Sequence, residues 1–192
     1  SEWVILEVDE SDGTIDSFSP EITLALNCDW DHVDLYKSKD SMNDVFKSLF
    51  ERTKDTIVIP KGSNLEKLTS AESGKTIHTF PVKKKLKNYF KNNFSAVCAV
   101  GRSLGIEFDS HCLDDFPGLA RRENILFHAN NRIIVEDYAH HPTEINAFLS
   151  RRRNLFPEHA MQVVFQPHRY SRTHALAKEF AEELSIADDL YL

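Results

Sequence analysis

Cysteine is scarce in this 192-residue chain, and Cys28, Cys98 and Cys112 are an odd number in dissimilar contexts. That usage argues against a disulfide framework and for a reducing compartment, so a cytoplasmic location is expected. Long hydrophobic runs are missing too. Nothing approaches the ~18 consecutive apolar residues of a membrane span, and the N-terminus lacks the basic-then-apolar plan of a signal peptide, which excludes membrane insertion as an expectation. There is no basic excess: 23 Lys+Arg against 30 Asp+Glu leave a net charge of −7, which excludes a generic nucleic-acid binder. With 6 Gly, 7 Pro and 41% hydrophobic residues, the composition is neither fibrous nor disordered. It suits one or two cores of about 100 residues each. Oligomeric state is left open.

The apolar pattern is that of a parallel α/β protein. Trp3 to Val8 reads as a strand buried on both faces, and Ile22 to Asn27 repeats the pattern. Met42, Val45, Phe46, Leu49 and Phe50 fall on one helix face, and Thr56 to Ile59 is a further short strand. Lys61 to Ser73 is polar and weakly patterned. Lys83 to Leu104 suits a helix with Gly105 as its C-terminal cap. Pro117-Gly118 is a turn signal after which the pattern resets, and a domain junction is placed there, giving portions 1–118 and 119–192. In the second portion, Arg132 to Val135, a helix opened by Pro142, Met161 to Phe165, a helix over His174 to Leu184, and Asp189 to Leu192 succeed one another as βαβαβ. The chain is expected to start and stop within elements of its fold.

Open parallel sheets bind ligands beyond the carboxyl ends of their strands. The unusual polar residues fall at those ends. Glu7, Asp9, Glu10 and Asp12 follow the first expected strand, and Asp29, Asp31, His32 and Asp34 follow the second. Two acidic clusters with a histidine could hold a hard divalent cation that helps bind phosphates, or could merely cap helices and solvate loops. Glu136, Asp137, His140 and His141 follow the strand of the second portion, and His168, Arg169 and Arg172 follow the next. Arg169 and Arg172 lie three apart behind Pro167, a spacing able to fork onto a carboxylate or phosphate, or to solvate a helix start. Arg151-Arg152-Arg153 is expected on the wet side of a helix. Gly74-Lys75-Thr76 copies the end of a phosphate loop, but Thr69 stands where the first glycine belongs and no apolar strand feeds it, so it reads as a surface turn. His140-His141 is a weak metal signal, and Pro142 makes it a helix start instead.

Four strings, in order, carry a resemblance: Glu7-Val8-Asp9-Glu10-Ser11-Asp12, Asn27 to Tyr36, Asp137-Tyr138-Ala139-His140-His141-Pro142-Thr143-Glu144, and Gln166-Pro167-His168-Arg169-Tyr170-Ser171-Arg172-Thr173. Together they resemble the Mur ligases of peptidoglycan synthesis. The resemblance implies a parallel-sheet portion of a central ATPase domain followed by part of a Rossmann-like C-terminal domain. It implies ATP and Mg2+ as cofactors. The implied reaction is amide-bond synthesis, in which ATP phosphorylates a carboxylate and an amino group attacks the acyl phosphate. UDP-N-acetylmuramate and L-alanine are the implied substrates, with a recycled tripeptide as the rival amine and a non-catalytic remnant as the alternative.

Residue by residue, Glu7 and His32 match the family's magnesium ligands. Asn93 matches a residue near the adenine, Arg122 one of the ATP site, and Asp137 the ribose contact. His168, Arg169 and Arg172, with Tyr138 and His141 nearby, match the group that holds the amino acid's carboxylate. Departures accompany the match. Lys87, Tyr89 and Phe90 stand where the family has a glycine and then His-Asn, and Arg121-Arg122-Glu123 replaces Arg-Arg-Phe. Some relatives carry a carbamylated lysine near Lys47, which this branch generally lacks. The family's phosphate loop is not found, so these 192 residues alone are expected not to turn over.

Overall fold

In a computed structural model, residues 3–69, 74–82, 89–114 and 116–192 are described. They divide into two compact units, one of residues up to Val82 with Phe90–Glu107 and one of Phe108–Leu192.

The first unit is built on a three-stranded parallel sheet. β1 (Ile22–Leu24), β2 (Thr56–Pro60) and β3 (Thr76–Phe80) lie in that order, with Ile22 opposite Thr56 and Thr56 opposite Thr76. β2 is central and every one of its residues is buried. Its alternating side chains serve both faces. Ile57 and Ile59 join Met42, Phe46 and Phe50 of α1 (Lys39–Arg52), together with Ala25, Tyr36 and Leu65. Val58 faces the other way and packs with Phe80, Ala96 and Ala99, the last two from α2 (Tyr89–Ser103). The two helices therefore cover opposite faces, the solution a parallel sheet requires.

Local chemistry sets the helix ends. Ser38 and Ser41 close a reciprocal capping box at the start of α1. At its end, Lys75 Nζ donates to the carbonyls of Phe50 and Glu51 at 2.7 and 2.6 Å. Lys75 is thus a cap for a helix C-terminus, not a phosphate ligand, and Thr76 begins β3 where a surface turn was expected. Arg52 donates to the carbonyls of Ile15 and Phe18, pinning the 15–18 segment to α1. Gly105 closes α2 at φ +70°, with Ile106 N–H reaching back to Gly101 O at 2.8 Å, as its expected capping role requires. The expected start of that helix at Lys83 lies outside the described residues.

Trp3 to Val8 departs from expectation. It forms no strand, and Val4 and Ile5 are 80% and 96% exposed. Thr76–Phe80 supplies the third strand instead.

The second unit opens with an antiparallel hairpin, β4 (Asn124–Ala129) and β5 (Arg132–Glu136). Asn130 and Asn131 turn it at φ +51° and +56°, both left-handed, as a type I′ turn demands. Among the described residues β5 pairs antiparallel with β4, so the parallel succession expected from Arg132 onward begins later. β6 (Gln162–Val164) and β7 (Asp189–Tyr191) do pair in parallel. Between them run α4 (Tyr170–Ala175) and α5 (Ala177–Leu184), which break at Leu176 within the single helix expected. α3 (Pro142–Leu155) starts with Pro142 in its first turn, and Ile145 and Leu149 form its buried stripe.

The arginine run of α3 is not on a wet face. Arg153 donates to the carbonyls of His159 and Ile186 and to Asp188, while Arg151 and Arg152 both engage Glu123. Among the described residues, no helix is long and apolar enough to cross a membrane.

Candidate functional site

In the first unit the chemistry gathers on His32. This residue sits in the loop beyond the carboxyl end of β1, in a left-handed backbone conformation at φ +51°. For a residue with a side chain that conformation costs about 1 kcal/mol or more, so the surroundings must enforce it. They do so with hydrogen bonds. His32 N–H donates to Asp31 Oδ1 at 2.7 Å, and the N–H groups of Leu35 and Tyr36 return to His32 O at 2.8 and 2.9 Å.

A second loop is tied to this one by Tyr36, whose buried hydroxyl donates to Glu10 O at 2.7 Å. Burial, aided by the charge of Glu10, raises the Tyr36 phenol above its ordinary value, so it remains a donor. The Trp30 indole N–H donates to Tyr36 O at 3.0 Å. As a result His32 Nε2 stands 3.3 Å from Glu10 Oε1, 3.8 Å from Asp31 Oδ2 and 4.0 Å from Asp9 Oδ1.

Asp9, Glu10 and His32 offer ligand atoms that all lie within 4.8 Å of one another. Two carboxylate oxygens and an imidazole fit a small divalent cation, which would neutralise the crowded acids. Glu7 is exposed on the preceding segment and is not one of the three. Sequence reasoning had named Asp9 and Glu10 only as part of an acidic cluster. The signal that separates them from Glu7 is the Tyr36 bond, which spans 26 residues. Asp12 and Asp31 show the other side of acidic clusters. Asp12 accepts from Thr14, whose hydroxyl and N–H hold its carboxyl below the ordinary value.

Asn93 lies on the exposed side of α2, while Lys87 lies outside the described residues.

In the second unit four of the expected residues, Arg122, Asp137, Tyr138 and His141, assemble around one turn. Asp137 follows β5 and accepts from Glu123 N–H at 2.9 Å and Ala139 N–H at 2.8 Å. Tyr138 N–H donates to Arg121 O at 2.8 Å. Arg122 reaches Glu144 at 3.4 Å and lies over the Tyr138 ring, 5.8 Å from its centroid. Glu144 completes a capping box with His141, whose Nδ1 accepts from Thr143 N–H at 3.3 Å. His141 is therefore the N-cap of α3, as Pro142 led one to expect, and its Nδ1 is used within the helix start.

The remaining predicted residues lie at the start of α4. His168 and Arg169 are exposed, with Arg169 at φ +68°. Arg172 is buried, and its guanidinium donates to His168 O at 3.3 Å. The structure thus gives Arg172 a hold on the His168 backbone, while Thr173 donates to the Arg169 carbonyl at 3.1 Å.

Burial pushes the Asp137 carboxyl above its ordinary 3.8, against the opposing pull of Ala139 N–H and Arg122 and with some help from Glu144. A raised carboxyl binds its proton more tightly when folded. Its contribution to stability is complete below 3.8 and is lost as pH rises through the folded value. Asp137→Asn is therefore expected to remove a loss of stability that sets in as pH rises above 3.8, so that variant and parent differ in how thermal stability changes with pH there. An unchanged slope in thermal melts of the variant would contradict the assignment.

Residues 121–192 match the family model described as Mur ligase, glutamate ligase domain. Over 97% of this chain, the UDP-N-acetylmuramate–L-alanine ligase of Endomicrobium trichonymphae is 32% identical, and the match covers 50% of that relative. The ligase of the same name from Dictyoglomus turgidum is 33% identical over all of this chain and 49% of its own length. The chain thus spans about half the length of the curated relatives it matches. Among solved structures, UDP-N-acetylmuramate–alanine ligase from Thermotoga maritima superposes with a TM-score of 0.68 at 26% identity, covering 95% of this chain and 47% of that one. A MurF ligase from Thermotoga maritima shares the fold at a TM-score of 0.67 and 15% identity, covering 90% of this chain and 48% of that one.

Proposed function

Because the chain belongs to the Mur ligase family, we propose that it forms part of an ATP-dependent ligase joining L-alanine to the carboxylate of UDP-N-acetylmuramate. The α/β fold with its parallel sheet corresponds to the central and C-terminal domains of such ligases. We assign residues 1–118 to the former and 119–192 to the latter.

The observation that carries the reading is the convergence of Asp9, Glu10 and His32 beyond a parallel strand. Bound there, Mg2+ would offset the negative charge of phosphoryl oxygens during transfer to the substrate carboxylate. The chain's own groups then have separable roles. Glu10 and His32 hold the cation, with Asp9 as the third donor and Glu7 available from the adjoining segment. Asn93, Arg122 and Asp137 take the nucleotide, Asp137 through its ribose hydroxyls. Arg169 and His168 supply positive charge and donors for the amino acid's carboxylate, and Arg172 holds the backbone of His168.

Phosphate release by the protein of the complete gene tests this. With ATP and Mg2+ present, release is expected to require both UDP-N-acetylmuramate and L-alanine. Release that a tripeptide supports better than L-alanine, or that needs neither substrate, would overturn the assignment. The 192 residues alone are expected to release none.

A further inference from the structure

The turn at Arg121–Glu123 is conformationally expensive and unusually well held. Arg121 and Glu123 both adopt left-handed backbone, at φ +57° and +54°, although neither is glycine. That backbone is strained for any residue with a side chain, so the turn persists only where contacts over-determine it. Two hydrogen bonds join it to the 137–138 segment, Tyr138 N–H to the backbone Arg121 O and Glu123 N–H to the side-chain Asp137 Oδ2.

The Glu123 side chain points to α3, where Arg151 Nη1 donates to Oε1 at 2.6 Å and Arg152 Nη2 donates to Oε2. That carboxylate is 9% exposed, and the Arg152 side chain 12%. Arg152 is steadied in turn by the Phe148 ring, 5.4 Å from its guanidinium. A shielded, charge-assisted pair of this kind is directional and stiff.

Asp137 needs a fixed point outside its own loop. The Ala139 bond is local to the 137–139 segment and moves with it. The Glu123 N–H comes from 14 residues away and sets the rotation of the carboxylate.

We propose that Glu123 is a positioning residue: its double ion pair to Arg151 and Arg152 staples the 121–123 turn to α3, so that its N–H orients Asp137 and the turn presents Arg122. That Asp137 and Arg122 meet a nucleotide rests on the function proposed above. The staple itself does not.

An amide hydrogen-bonded to a carboxylate shifts as that carboxylate titrates, which gives a readout that mere loss of stability would not move. In acid titrations followed by 1H-15N NMR, the amides of residues 123 and 139 are both expected to follow Asp137. In Glu123→Ala the residue 123 amide is expected to lose that titration while Ala139 keeps it. Arg151→Gln combined with Arg152→Gln cuts the staple from α3 and should give the same loss. Should either variant keep the titration at residue 123, the proposal fails. Adding ADP to the unaltered chain is a separate arm. Shifts at Ala139 and Tyr138 are expected, and their absence would count against nucleotide binding at Asp137 while the staple result stands.

Discussion

Phe80→Ala is expected to destabilise the first unit by about 3–5 kcal/mol, a large share of what a domain of this size has to lose. Phe80 is 2% exposed and ends β3, where its ring fills the space between Val58 and two alanines of α2. Ala96 and Ala99 have only methyl groups, too short to extend into the void. The gap should therefore stay open. The backbone loses nothing, since the Lys61 N–H still finds the carbonyl of residue 80, so the whole cost is packing. Urea unfolding followed by tryptophan emission reads this unit, because Trp3 and Trp30 are the two tryptophans and Trp30 packs against the α1 side of the sheet. A loss below about 1 kcal/mol would mean that Phe80 is not a core residue. Ile5→Ala is the control. At 96% exposure its loss should stay within about 0.5 kcal/mol.

That contrast marks where sequence patterning stops being informative. α1 was readable because Met42, Phe46, Leu49 and Phe50 repeat at helical spacing and all four are buried. Pro142 and Gly105 were readable because each is chemically confined to one end of a helix. Thr76–Phe80 was not, because an edge strand needs one buried residue, and Thr-Ile-His-Thr offers no alternation to announce it. The β4–β5 hairpin did carry a signal in Asn130-Asn131, two residues that tolerate left-handed backbone. Trp3 to Leu6 misled in the opposite direction, since an apolar run states what a segment could bury and not whether anything here covers it.

The site divides in the same way. His32 and its acids were visible as residue types beyond a strand, but which acid faces the imidazole depends on Tyr36, and that choice is tertiary. Glu123 looked like a departure from the family pattern. Its partners lie 28 and 29 residues away on α3, and only the fold brings them to it.

His32→Ala is expected to weaken divalent-cation binding by at least about tenfold, since even the outer partners of metal ligands are worth 10–100-fold. Glu10→Gln should do as much, because it removes a charge and keeps the shape. Manganese relaxation on the 192-residue chain measures this without nucleotide and without turnover. The reasoning turns on what holds the ligands. Asp31 fixes His32 through its N–H, and Tyr36 fixes Glu10 through its carbonyl, so the two groups meet at 3.3 Å in a geometry that neither loop would keep alone. Tyr36→Phe removes the hydroxyl and leaves both ligands in place, so it should weaken the cation less than His32→Ala and more than a surface change. Glu7→Gln separates two assignments. If Glu7 joins the shell when the cation binds, its loss should match that of Glu10, whereas a near-neutral effect would leave Asp9 as the third ligand. Equal manganese affinity in the parent chain, His32→Ala and Glu10→Gln would remove the cation from this site, and with it the observation on which the ligase reading most depends.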